Sequence, residues 1–247
     1  MPHKSALLTP LLSVIVPMYN EEKRMEPFLS QLCSFLKTKY STDTIELLVV
    51  DDGSLDGTAE KARAILKTMA LGKVLSYTPN RGKGLAVKYG VEHAKGDFML
   101  FIDADGSTAP QEIPKLVFAL LHADVAVGSR EHQQSEIIIS TRRKLAGKLF
   151  NLYVRLLFQS AVRDNLCGFK GFRRTAAKQL FSELRTPRWI FDVELFWRVK
   201  QHHYTLAQVP IVWNWKRGSK IQWYDPLIMA WQLLMLRLRL MEEPIKR

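Results

Sequence analysis

Short apolar runs rich in β-branched residues recur along the first half of the chain and constrain its fold more than any other feature. They read LSVIVP at 12–17, IELLVV at 45–50, KVLSY at 73–77, FMLFI at 98–102 and DVAVGS at 124–129. Between them, about 22–39, 57–71, 83–94 and 110–122, apolar residues fall at helical spacing. Runs too apolar to leave one face in water, alternating with helices, predict an α/β fold whose largely parallel sheet is covered on both faces. At 247 residues the chain accommodates one such domain with a small addition. Beyond about residue 130 the pattern reads as helical and basic, with one further strand in LAQVPIVW at 206–213.

Loops at the carboxyl ends of parallel strands share one edge of the sheet, where open α/β proteins bind ligands. Three of these loops carry carboxylates: YNEE after the first run, DDGSLDGT after the second and DADGS after the fourth. Glu21, Asp52, Asp103 and Asp105 are thus predicted to line one crevice, a concentration of negative charge that calls for a cation or several donors. In an extended segment Asp103 and Asp105 point the same way, and Ala104 between them adds no bulk. Two such carboxylates suit Mg²⁺ or Mn²⁺, which binds through one or two carboxylates, waters and the phosphates of a substrate. An Asp-x-Asp by itself equally suits an Asx turn or a helix cap. Thr108, Pro110 and Gln111 predict a capping box opening the next helix. Arg81 and Lys83, set among glycines in NRGKGLAVKYG, suggest a phosphate cradle that matches neither the P-loop nor the dinucleotide motif.

Thirty-six Lys and Arg against 24 Asp and Glu give a net charge of +12, which suits an anionic partner. Nucleic acid is disfavoured, because the basic residues gather after residue 140 among bulky aliphatics while the strand-end loops are acidic. Two cysteines, Cys33 and Cys167, support neither a disulfide framework nor a metal site, and Cys33 reads as a core residue. Pro10 interrupts the N-terminal leucines and no cleavage-site pattern follows, so no signal peptide is expected. No uncharged run reaches the length of a spanning helix. Instead, 139–160 and 223–241 mix Trp, Phe, Leu and Met with Lys and Arg, the composition of interfacial helices; core packing or a dimer interface is the alternative. Trp223 and Trp231 suit the headgroup level.

Taken together, SVIVPMYNEE, ELLVVDDGSLDGT, NRGKGLAVKYGVEHAKGDFMLFIDADG, VGSR, RDNLCGFKGFRR and RWIFDVEL resemble the family 2 inverting glycosyltransferases of GT-A fold. Within that family they are most similar to the dolichyl-phosphate or polyprenyl-phosphate glycosyltransferases, above all the β-glucosyltransferases. The likeness runs in order over about residues 12–220. It implies a catalytic domain at 1–220, with a mostly parallel, Rossmann-like mixed sheet, and a C-terminal amphipathic segment at 221–247 that associates with a membrane. It also implies a nucleotide-sugar donor, UDP-glucose first and GDP-mannose as the alternative, and a lipid monophosphate acceptor.

Residue by residue, the resemblance assigns Pro17, Tyr19 and Glu21 to the nucleotide and Val50 and Asp52 to base and ribose, with Lys83 among the donor contacts. It makes Asp103, Ala104 and Asp105 the metal motif on the donor diphosphate, and Arg130, Arg143, Arg217 and Lys220 the contacts to phosphates, chiefly the acceptor's. Gly147 stands where mannosyl-phosphate relatives usually carry Ser, removing one hydroxyl from the acceptor site. Asp192 in RWIFDVEL is expected near the sugar hydroxyls or the reacting centre, or as a helix N-cap, and Asp164 as an ion pair with Arg163. Transfer to a soluble sugar or protein is the second enzymatic reading, and it requires a general base. The implied location is the cytoplasm, at the membrane surface; oligomeric state is left open.

Overall fold

The computed structural model describes residues 12–216 and 225–242. In chain order the strands are β1 (Leu12–Met18), β2 (Ile45–Asp51), β3 (Lys73–Ser76), β4 (Phe98–Ile102), β5 (Val125–Ser129), β6 (Glu136–Ile138), β7 (Phe169–Arg173), β8 (Leu206–Pro210) and β9 (Val212–Asn214). The helices are α1 (Met25–Lys39), α2 (Thr58–Met69), α3 (Lys83–His93), α4 (Ile113–Leu120), α5 (Thr141–Phe158), α6 (Arg174–Glu183), α7 (Phe191–Gln201) and α8 (Asp225–Glu242).

Seven strands form one sheet in the order β3-β2-β1-β4-β7-β5-β8. All its pairings are parallel except those of β7, which runs antiparallel to both β4 and β5. Burial on both faces explains the unbroken apolar runs. Val14, Val16, Leu100 and Ile102 pack under α1, α2 and α4, while their neighbours Ile15, Met99 and Phe101 pack under α3, α6 and α7.

Three expectations are corrected. The sequence region after 130 holds β7, which its reading as helical and basic did not provide: FKGFR carries a lysine at its centre, and that lysine is buried. The capping box is absent: Ala109 caps the short turn at Pro110–Glu112, without a side-chain hydrogen bond, and Thr108 instead bridges to Trp213. The run at 206–213 is split, because Ile211 separates β8, in the main sheet, from β9, which pairs with β6.

A third apolar cluster joins α5, the start of α7 and α8 through Val154, Phe158, Ile190, Val193, Met229, Leu233, Leu236 and Leu240. The four α8 residues recur every three or four positions and so form one buried stripe. A different stripe of α8, Leu227, Trp231, Leu234, Leu238 and Met241, is exposed, as are Leu145, Leu149, Leu152 and Leu156 of α5. Among the described residues no helix is long and apolar enough to cross a membrane.

Candidate active site

The predicted loops do share an edge. β1 ends beside β2 with Pro17 opposite Val50 and Met18 opposite Asp51, so YNEE and DDGSLDGT leave the sheet side by side. Glu21 is buried and paired with Arg24, whose Nη2 lies 2.7 Å from Oε1; its backbone N–H donates to Thr58 Oγ1 at 2.7 Å. Tyr19 and Pro17 are half-buried at the same edge.

Asp52 is held almost wholly by the protein. Its carboxylate accepts from Tyr77 Oη at 2.7 Å, Asn80 Nδ2 at 2.8 Å, Arg81 N at 2.8 Å and Gly82 N at 2.9 Å. This clamps the loop after β3 onto the loop after β2, and the clamp ends at the first residue of α3, Lys83. Gly82 sits at φ 95°, with Pro187 O only 2.6 Å from where a Cβ would stand, so no side chain fits there. Lys83 is consequently launched from a fixed backbone, and its Nζ lies 2.7 Å from Asp103 Oδ1.

Asp103 and Asp105 follow β4. Asp105 is exposed, and its Oδ1 accepts from Ser107 N at 2.8 Å, the Asx turn that the motif alone equally suited. Crowding by the surrounding protein and the charge of Asp103 hold the Asp105 carboxyl above the usual aspartate range, against the Ser107 hydrogen bonds and Lys83. A carboxyl raised by the charge of its neighbour two residues away is a fit partner for a divalent cation, and the hard oxygens of the pair suit Mg²⁺ or Mn²⁺. Asp103 is braced by the residue that leads into β7, for its N–H donates to Gly168 O at 3.0 Å.

Behind these carboxylates lies a feature missed in the sequence. Lys170 of β7 is fully buried, stands between the rings of Phe101 and Phe196 at 5.4 and 5.3 Å, donates to Cys167 O and pairs with Asp192 Oδ1 at 2.9 Å. A lysine flanked by apolar residues in a strand is the one signal that was available. Asp192 is in the first turn of α7, whose N-cap is Ile190, so it is not a cap. Burial raises its carboxyl, Lys170 and Lys83 oppose that, and the charge of Asp103 adds to it. Asp192 therefore belongs electrostatically to the Asp103 and Lys83 cluster.

Arg130 is partly spoken for. Its Nε and Nη2 each lie 2.7 Å from an oxygen of buried Asp164, its backbone N–H adds a third bond at 2.9 Å, and its guanidinium lies 5.2 Å from the Trp213 ring. The expected partner of Asp164, Arg163, is replaced by Arg130, 34 residues away. Burial works against the Arg130 charge, but Asp164 outweighs it and lifts the guanidinium above its usual range; the same pairing lowers Asp164. One edge of the fork is used, and the Nη1 side is the edge left for a phosphate. Arg143 lies on α5 with its side chain outside the described residues, and Arg217, Lys220 and Trp223 are outside them altogether.

A mostly parallel sheet with an Asp-x-Asp loop and fixed cations at its carboxyl edge defines the class, a glycosyltransferase of GT-A fold. A family profile, "Glycosyl transferase family 2", matches residues 13–181, and the chain belongs to that family. It is 37% identical over 246 residues to the dolichyl-phosphate beta-glucosyltransferase of Homo sapiens, an alignment covering 94% of this chain and 76% of that protein. The enzyme of that name from Saccharomyces cerevisiae is 34% identical, over 92% of this chain and 74% of its own. Among solved structures, glucosyl-3-phosphoglycerate synthase from Mycobacterium tuberculosis in complex with Mn²⁺, UDP and phosphoglyceric acid superposes with a TM-score of 0.66 at 21% identity, over 95% of this chain and 80% of that one. A mannosyltransferase from Pyrobaculum calidifontis in complex with GDP-Man and Mn²⁺ gives a TM-score of 0.64 at 19% identity, over 96% and 66%. At these identities the two structures speak for the fold.

Proposed function

We propose that this chain transfers glucose from UDP-glucose to the phosphate of a dolichyl or polyprenyl lipid, with inversion at the anomeric carbon. The observation that carries the reading is the 37% identity, over 94% of the chain, to a dolichyl-phosphate beta-glucosyltransferase. The geometry is consistent with it: Lys83 lies against Trp189, which packs on the cluster joining α5 and α8, so the acidic loops and the helices with exposed apolar stripes are neighbours.

The chemistry follows from charge. A phosphate monoester has a second pKa near 6, is largely dianionic at neutral pH and needs no strong base to attack. An acceptor oxygen bonds to the anomeric carbon from the face opposite the leaving group, the bond from that carbon to the β-phosphate oxygen breaks, and UDP departs with the electron pair. An α-linked donor thereby gives a β-linked lipid phosphate. Asp103 and Asp105 would hold Mg²⁺ or Mn²⁺, which supplies positive charge to the departing diphosphate when bound. Lys83 supplies a second cation on the same side, from a backbone fixed by Asp52. Arg130, oriented by Asp164, presents its Nη1 side to the acceptor phosphate, and Arg143, Arg217 and Lys220 are proposed to complete that site. Pro17, Tyr19, Glu21 and Val50 lie where the nucleotide is expected, with Asp52 shaping their loop. Asp192, held by Lys170, would accept a hydrogen bond from a sugar hydroxyl.

The lipid is met at a membrane surface. The exposed leucines of α5 and the Leu227, Trp231, Leu238 and Met241 stripe of α8 would enter the headgroup boundary of an anionic bilayer, which the net charge of +12 also favours. In this reading 1–220 is the catalytic domain and 221–247 the membrane-associating segment.

Purified protein, UDP-[¹⁴C]glucose, Mg²⁺ and a polyprenyl phosphate should give labelled lipid on thin-layer chromatography. Labelling from GDP-mannose alone would overturn the donor, and transfer only to a soluble acceptor would overturn the lipid. Trp231→Glu with Leu152→Glu should abolish flotation with anionic vesicles. Retained flotation, or a dimer in sedimentation that the substitutions dissociate, would refute the membrane face.

A further inference from the structure

We infer that Lys83 is a built-in counter-cation that keeps Asp103 closed to a divalent metal until a nucleotide diphosphate draws its ammonium away, so that metal and donor enter the site together. The inference rests on the reading of Asp103 and Asp105 as the metal-holding pair.

Three observations support it. Lys83 Nζ lies 2.7 Å from Asp103 Oδ1, on an oxygen that a metal would need. The pair is sheltered, with the Lys83 side chain 16% exposed, whereas Asp105 next along is exposed and bonded only by the Ser107 turn among the contacts described. The ammonium also lies 5.9 Å from the centroid of the Trp189 ring, so it is held inside the site and not at the protein surface.

The fold makes exchange easy at one point only. The backbone before Lys83 is pinned by the Asp52 bonds to Arg81 N and Gly82 N, and Leu85 N is bonded to Pro187 O, so the α3 entry stays in place. Movement is therefore confined to the flexible four-carbon stem of Lys83, whose ammonium retargets without a backbone shift. A diphosphate arriving at this edge offers more negative charge than one carboxylate. Once Lys83 turns to it, Asp103 and Asp105 face each other without a cation, and metal affinity rises. Ordered entry of donor and metal is thus written into a single side chain.

Mn²⁺ binding, read by electron paramagnetic resonance in wild-type protein and in Lys83→Met and Lys83→Arg, tests this without reference to turnover. Wild-type protein alone should bind Mn²⁺ weakly and gain about tenfold or more with saturating UDP. Lys83→Met alone should bind Mn²⁺ about ten- to a thousandfold more tightly than wild type, the range that a neighbouring opposite charge exerts on proton binding to a carboxylate. UDP should then add less than it does in wild type. Lys83→Arg, which keeps the charge, should stay near wild type, and thermal melts establish that each variant is folded. Unchanged or weaker Mn²⁺ binding by Lys83→Met in the absence of UDP overturns the inference while leaving the metal pair standing. If wild-type protein binds no Mn²⁺ even with UDP, or Asp105→Asn leaves binding unaltered, the metal reading itself falls and the inference with it.

Discussion

Gly168→Ala separates the chemistry of the site from the stability of the fold. Gly168 has no unusual backbone angle, so alanine suits its conformation. What it lacks is room: a Cβ there would lie 2.5 Å from Asp103 Oδ1 and nearer still to Oδ2 and Cγ. The backbones cannot part cheaply, because Gly168 O accepts from Asp103 N at 3.0 Å and Phe169 pairs with Ile102 in the sheet. The carboxylate must therefore swing away. An off-rotamer side chain costs about 0.5–1.5 kcal/mol, and an ion pair such as that with Lys83, one partner of which is partly exposed, contributes about 0.2–1 kcal/mol. Together these give a loss of about 0.7–2.5 kcal/mol, or a Tm lower by roughly 1–10 °C for a chain of this size. Catalysis should suffer far more, since displacing a reacting or ligating group by about 1 Å costs on the order of a hundredfold. Differential scanning calorimetry and glucosyl transfer, measured on the same preparation, test this. Transfer within about threefold of wild type, or a protein that does not fold, would refute the reasoning.

Further outcomes follow from buried and crowded charges. Lys170→Met leaves Asp192 buried without its cation and should cost about 3–5 kcal/mol, whereas Lys170→Met with Asp192→Leu should recover much of that in denaturant melts yet remain inactive. Because the Asp105 carboxyl is raised in the fold, its ionisation opposes folding at neutral pH; metal-free Asp105→Asn should melt higher than wild type at pH 7. That gain should vanish below the ordinary aspartate pKa of about 3.9, where both states are protonated. Asp105→Ala should abolish transfer while leaving vesicle flotation intact. Burial pushes the Cys33 thiol up to about 11 and Cys167 up to about 12, so iodoacetamide at pH 8 should label neither cysteine until the protein is unfolded, as mass spectrometry would report.

What the sequence made legible was whatever local pattern controls. The first five strands and four helices fall within a few residues of their expected bounds, because two-sided burial leaves unbroken apolar runs and strand-end loops must then share an edge. The Asp103 and Asp105 loop was readable for the same reason. Less visible was everything decided by pairing over distance. Nothing in RDNLCGF tells Asp164 to choose Arg130 across 34 residues over its neighbour Arg163. Asp52 reads as a ligand contact, yet the donors that surround it come from 77–82, a loop whose approach depends on the β2 and β3 pairing. β7 escaped notice because its central lysine mimics a solvent-facing residue, and the partner that offsets its buried charge, Asp192, lies 22 residues on in α7.

The antiparallel β7 also separates the order in which the strands are written from the order in which they lie in the sheet. β4 and β5 are complete by Ser129, but the strand that fills the slot between them begins only at Phe169. Until then the emerging chain carries two unpaired inner edges, each apolar on both faces, which are templates for association with other chains. A fragment ending near residue 160 would hold the nucleotide loops and the Asp-x-Asp motif and still lack a closed sheet. The Asp-x-Asp loop, although written earlier, gains its backing only when β7, with Gly168 just before it and Lys170 within it, pairs with β4.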